Sequence, residues 1–175
     1  MGCRIRKILS WLLLLGTLVL GVFLGLGFIT IPNAEAAIRQ QEEAPGQTVY
    51  QSRQTLKDQY GNRWQAIAFK RIRPDSTTSF YLRLVGFPGV VEIDRTQPLT
   101  LTNSLGKQLI AADASFNEIA NSVPNVGQYD LKPLLPKLQP GIPFKLTLPT
   151  TSTRAVSLII SPSLVEEWQT VASYE

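Results

Sequence analysis

Ser104-Leu105-Gly106-Lys107 spells S-x-x-K, the spacing at which a lysine helps activate a serine in penicillin-recognising enzymes. That chemistry needs a helix start under the serine and S-D-N and K-T-G partner motifs. Neither motif occurs in the chain, and the flanking residues alternate as strands around a turn. Ser104 and Lys107 are therefore expected to be a turn serine and a solvated lysine. Glu92 and Asp94 stand two apart in a stretch read as strand, which would place both on one face roughly 6.5–7 Å apart. Such a pair binds Ca²⁺ or does acid/base work only with a third ligand, or with one carboxyl held protonated by burial. Arg95 follows immediately and favours the ionised forms, so a solvated strand face is expected. These four residues are the whole case for a carboxylate- or Ser/Lys-based cell-wall hydrolase. Asp58-Gln59-Tyr60-Gly61-Asn62 looks like a calcium loop, but lacks the alternating oxygen ligands and the glutamate at the twelfth position; it reads as a hairpin turn.

Composition narrows the chemistry further. The 175 residues contain no His, and the single Cys is Cys3. Imidazole general bases, serine triads, thiolate nucleophiles and disulfides therefore have no residues to use beyond position 3. Nothing in the sequence implies a metal or a cofactor.

Arg4, Arg6 and Lys7 precede an uncharged run from Ile8 to Ile29, followed by Pro32 and Ala34-Glu35-Ala36. This is the layout of a secretory signal, with cleavage expected after Ala36. The run of 22 residues is longer than the roughly 7–15 of a simple signal and could span the ~30 Å hydrocarbon core as a retained anchor. Either way the cations stay inside and the following domain is expected on the far side of the membrane. Without Arg4, Arg6, Lys7 and Glu35, 14 cations and 12 anions remain. That is one ordinary domain's worth of chain, large enough for a hydrophobic core without staples.

The elements that would position any site read as follows. Residues 37–47 are polar, end near Pro45-Gly46, and are expected to form a tether. From Thr48 the period is two: Thr48–Lys57 and Arg63–Arg73 form a long hairpin, with Ile67 and Phe69 on one face and Trp64, Ala66 and Ala68 on the other. Strands follow at Ser79–Val85, Val90–Ile93, from Leu99 to Thr102, Lys107–Ala112, Phe144–Leu148 and Val156–Ile160. Asp130 is expected to cap a short helix through Leu138, limited by Pro133 and Pro136. Ser161-Pro162 starts a C-terminal helix whose Leu164, Val165, Trp168, Val171 and Ala172 form one apolar stripe. The expected fold over residues 48–175 is mainly β: a single β-sandwich or open barrel-like domain of about eight short strands, with those two helices.

Two surface features compete for a binding role. Lys70, Arg71 and Arg73, with Arg63 and Arg83 nearby, would make a basic rim for anionic lipid or an acidic partner. Without an ordered aromatic platform they do not indicate nucleic acid. Val85-Gly86-Phe87-Pro88-Gly89-Val90-Val91 is apolar yet broken by Gly and Pro. Phe87 is expected either in the core at a bulge or, with Pro88, on an exposed docking loop. Tyr129 poses the same choice between a filled sheet edge and a docking surface.

Four segments, Gln51-Ser52-Arg53-Gln54-Thr55-Leu56, Leu82-Arg83-Leu84-Val85-Gly86-Phe87-Pro88-Gly89, Asn125-Val126-Gly127-Gln128-Tyr129-Asp130-Leu131 and Glu167-Trp168-Gln169, together resemble a family of small exported cyanobacterial proteins of unknown function. The resemblance covers nearly all of residues 37–173. It implies an organism with thylakoids, hence a lumenal or periplasmic location, and carries over no activity, ligand or catalytic residue. The expectation is a non-catalytic exported accessory or binding domain associated with a membrane complex or membrane surface. The alternative is a carrier of a small apolar ligand in a β-barrel or sandwich cavity.

Overall fold

The computed structural model describes residues 11–18, 21, 38–116, 119, 123–152 and 154–175. The chain divides into two compact units, Met1–Glu35 and Ala36–Glu175. In the first, residues 11–18 are helical with exposed side chains, and no helix among the described residues is long and apolar enough to cross a membrane. Cys3, both ends of the uncharged run and the expected cleavage residue Ala36 lie outside the described residues.

The second unit is mainly β, with nine described strands in two antiparallel sheets. Five form one sheet in the order β1-β2-β3-β4-β7: β1 Arg39–Ala44, β2 Gln47–Lys57, β3 Arg63–Ile72, β4 Thr78–Val85 and β7 Val126–Asp130. Four form the other in the order β6-β5-β8-β9: β5 Leu99–Asn103, β6 Gln108–Ala111, β8 Phe144–Leu148 and β9 Val156–Ile160. Single bridges, Asp58 to Leu158 and Asp113 to Tyr129, tie the sheets at their margins. The result is a β-sandwich whose two sheets stay distinct.

The period-two pattern explains the layers. On β3, Trp64, Ala66 and Ala68 face inward and join Phe80, Leu82, Leu84, Leu101, Leu146 and Leu158 in one contiguous core. Each fully buried Leu or Phe contributes about 1.5–3 kcal/mol by leaving water. Every residue of that core belongs to Ala36–Glu175, so this unit folds around its own interior. Ile67 and Phe69 point the other way and meet Val49 in a smaller cluster on the outer face of the five-stranded sheet.

Three elements differ from the sequence reading. Residues 37–47 are not a tether: Arg39–Ala44 pairs with β2, Arg39 opposite Gln51, through a bulge between Glu42 and Ala44. A wholly exposed, polar edge strand has no apolar face to signal itself, and its charges discourage pairing with other chains. Val90–Ile93 is not a strand; Ile93 makes only an isolated bridge to Thr150. Conversely β7 carries no strand signal in the sequence, because Gly127 interrupts its alternation and Pro124 stands just before it.

The helices follow their signals. The proline-limited one is a 3-10 helix, Lys132–Lys137, whose N-cap position is held by Leu131 rather than Asp130, without a side-chain capping hydrogen bond. Asp130 closes β7, and its Oδ1 accepts a hydrogen bond from Lys132 N at 2.9 Å. The C-terminal helix spans Pro162–Ser173, with Ser161 Oγ accepting from Leu164 N and Leu164, Val165, Trp168 and Val171 buried against β2 and β3. Its end is fastened too: Lys70 Nζ donates to the carbonyls of Ala172 and Tyr174, and the Tyr174 ring stacks on Tyr50 at 4.7 Å. A cation at a helix C-terminus opposes the negative end of the helix dipole.

Candidate functional site

The residues named for catalysis are not brought together. Ser104 and Lys107 sit in the exposed β5–β6 turn, where Asn103 Oδ1 accepts from Leu105 N and Lys107 N. Glu92 lies near the far end of β8, its carbonyl accepting from Thr151 N. Register places Asn103 opposite Phe144 and Leu148 opposite Val156, so the length of β8, roughly 13 Å, separates the two pairs. Glu92 and Asp94 also do not share a strand face, because the segment is irregular. Asp94 Oδ1 accepts from Thr96 N at 3.0 Å and from the Thr96 hydroxyl in a local turn. Among the described residues no group of three or more His, Cys, Asp or Glu side chains gathers as a metal site. The interior that a carrier would leave hollow is occupied by Trp64, Trp168, Tyr129 and Phe80 with the surrounding leucines.

The proposed basic rim is dispersed by the pleat. Lys70 faces the C-terminal helix, as described. Arg71 faces outward but is buried in an ion pair, its Nε 2.9 Å from Glu43 Oε2. Arg73 is partly buried at the start of the β3–β4 turn, with its N–H on Thr77 O. Arg83 lies across the Phe69 ring and donates to Gln128 Oε1.

Tyr129 is packed in the core. Inward-facing on β7, it is 0% exposed, and among the described residues its buried hydroxyl has no hydrogen-bond partner. Burial pushes its phenol pKa far above the ordinary value, with Asp113 adding to the effect. Gly127 makes room for it: a Cβ there would lie 3.0 Å from the Tyr129 hydroxyl. Replacing Tyr129 with Phe should therefore leave stability unchanged or raise it by about 1 kcal/mol, measured by urea unfolding; a loss above that would show a hidden partner for the hydroxyl.

Phe87 and Pro88 meet the opposite fate. The chain leaves β4 at Gly86, which lies flat on the Trp64 indole; a Cβ at 86 would come within 2.9 Å of the ring. The Phe87–Val90 turn closes with Val90 N on Phe87 O at 3.3 Å and a left-handed Gly89 at φ +77°. A second turn, Val123–Asn125, is laced to the first. Gly86 N donates to Asn125 O at 2.9 Å, Asn125 Nδ2 donates to Gly86 O at 2.8 Å, and Ile93 N donates to Pro124 O at 2.8 Å. The result is a braced tip with Phe87 70% exposed, Val90 52% exposed, and Pro88 and Val123 also exposed.

Arg95 is the positioning residue the sequence did not reveal. Read only as a neighbour of Glu92 and Asp94, it reaches across the loop: Nη2 donates to Val123 O at 2.6 Å, and Nε and Nη2 donate to Val126 O at 3.1 and 2.9 Å. It thereby ties the second turn to the segment that follows Ile93. Five donors in a planar fork suit it to several carbonyls at once, but no local spacing announces a partner some thirty residues away.

Comparison with curated proteins and with solved structures finds no match. A family model described as Protein of unknown function (DUF3122) matches residues 36–171, a span that takes in both sheets, the Phe87 tip and most of the C-terminal helix. On that match, the chain belongs to this family of unknown function.

Proposed function

We propose that this is a non-catalytic binding domain, exported behind its leader to the periplasm or thylakoid lumen, that docks onto a membrane complex through the Phe87–Val90 tip. One observation supports the reading most directly: large apolar side chains stand exposed on a loop that is braced rather than slack. Leaving Phe87 in water forgoes about 1.5–3 kcal/mol of burial. Preorganisation of such a loop reduces the ordering entropy that a partner must overcome. Aromatic anchors of this kind commonly dominate an interface. Dispersal of Glu92, Asp94, Ser104 and Lys107 supports the non-catalytic part.

The test is retrieval from solubilised native membranes with tagged protein and with Phe87→Asp. Since Phe87 is exposed, the variant should melt within about 1 °C of wild type. Wild type is expected to retain a membrane complex at moderate salt and the variant to lose most of it. Recovery of monomer alone under several salt conditions, or equal retention by both proteins, would count against the proposal.

A further inference from the structure

The outer face of the five-stranded sheet carries an unbalanced row of cations. Alternation from the buried Trp64 and the strand register place Arg39, Arg53, Lys57, Arg63, Arg71 and Arg83 on this face. Among the described residues of its strands only Glu43 and Asp130 oppose them there. Glu43 is committed to Arg71, and Asp130 sits at the far edge on β7. Arg39, Arg53, Lys57 and Arg63 are all exposed, and among the described residues none of their side chains has a hydrogen-bond or ion-pair partner. Register sets Lys57 directly opposite Arg63. Like charges facing each other across a strand pair are destabilising, and among the described residues no ion pair relieves that cost.

We infer that this face rests on an anionic lipid surface. From the Arg39–Gln51 pair to the Lys57–Arg63 pair the row runs six residues along β2, about 20 Å. A single small anion cannot serve such a row, whereas a planar array of lipid phosphates serves every member. The same face bears the Val49, Ile67 and Phe69 cluster with partly exposed Tyr81 and Val85, a mixture of cationic, aromatic and apolar groups suited to the headgroup layer. Charge spacing favours lipid over a soluble acidic protein, because the exposed cations are spread along one strand face and gather at no single point. The inference does not depend on the Phe87 tip, because vesicle binding is read without any protein partner.

The experiment is co-sedimentation of residues 36–175 with phosphatidylcholine vesicles and with vesicles containing phosphatidylglycerol as well. Binding is expected only to the anionic vesicles and should weaken as salt rises. At about 1 kcal/mol per cation near such a surface, the double variant R53A/R63A should partition about thirtyfold more weakly. K107A/K145A, which removes two exposed cations from the other sheet, should partition like wild type, and all three proteins should melt cooperatively. Equal loss in both variants would make binding a matter of net charge and overturn the assignment. So would equal binding to neutral vesicles, or salt-sensitive capture by polyglutamate with no partition onto anionic vesicles, which would assign the face to an acidic protein.

Discussion

Replacing Trp168 with alanine is expected to cost about 3–5 kcal/mol of stability, while phenylalanine at the same position should cost less than half as much. Trp168 is 1% exposed and lies in the middle of the buried stripe that seats the C-terminal helix on β2 and β3. Alanine leaves an indole-sized void under a helix already fastened at both ends, by Ser161 at its start and Lys70 at its finish. The surroundings are poorly placed to collapse into it. Phenylalanine keeps most of the apolar contact and removes an indole N–H that is buried without a hydrogen-bond partner among the described residues, a defect worth about 1–3 kcal/mol in its own right. Glu167 sits beside it: burial raises its carboxyl pKa, an effect only partly offset by the Ser52 hydroxyl. Urea unfolding of residues 36–175 with alanine and phenylalanine variants measures the difference. Equal losses would mean that the indole N–H is satisfied by an ordered water.

The second large effect belongs to Asp58, at the head of the β2–β3 turn. Its Oδ1 accepts from Tyr60 N at 2.9 Å and Asn62 N at 2.8 Å; its Oδ2 accepts from Asn62 Nδ2 at 3.0 Å and Trp64 Nε1 at 3.1 Å. Burial by itself would raise this carboxyl, but the four hydrogen bonds outweigh it and hold the pKa below its ordinary 3.8. Asp58→Ala orphans the buried Trp64 N–H and two turn amides together, for an expected loss of about 2–4 kcal/mol. Asp58→Asn should fall between, since it keeps an acceptor for the amides but aims a donor at Trp64 and Asn62. The sign of the pH dependence follows from the lowered value. The unfolded state takes up its proton first, so the carboxylate's contribution is complete above about 3.8 and drains away as pH falls through the folded value. The stability gap between wild type and Asp58→Asn is therefore expected to narrow below pH 3.8. A gap that stays constant in acid would show that the charge is immaterial and only the geometry of the turn matters.

Both effects join residues whose roles were unequally legible. The alternation of Trp64, Ala66 and Ala68 against Ile67 and Phe69 determined which face of β3 points inward, because a strand's side chains can only alternate. Ser161-Pro162 and the apolar stripe that follows determined the C-terminal helix, because a cap and a 3.6-residue period are local properties. The absence of His, and the confinement of Cys to position 3, limited the chemistry before any fold was known.

Tertiary structure decided the rest, and in each case a long-range partner made the decision. Arg39–Ala44 is a strand only because β2 offers an edge to it, and β7 is one because β4 does. Phe87 directly follows Gly86, and Tyr129 comes two residues after Gly127. Asn125 and the Trp64 ring force the chain outward at Gly86, while Gly127 leaves space that draws Tyr129 into the core. Arg71 and Arg53 are both outward arginines in central strands, and one Glu43 carboxylate, delivered by an edge strand that the local pattern did not announce, separates them. Alternation gives the side of a sheet on which a charge emerges; whether that charge is spent within the fold or left for a partner depends on groups tens of residues away in the chain.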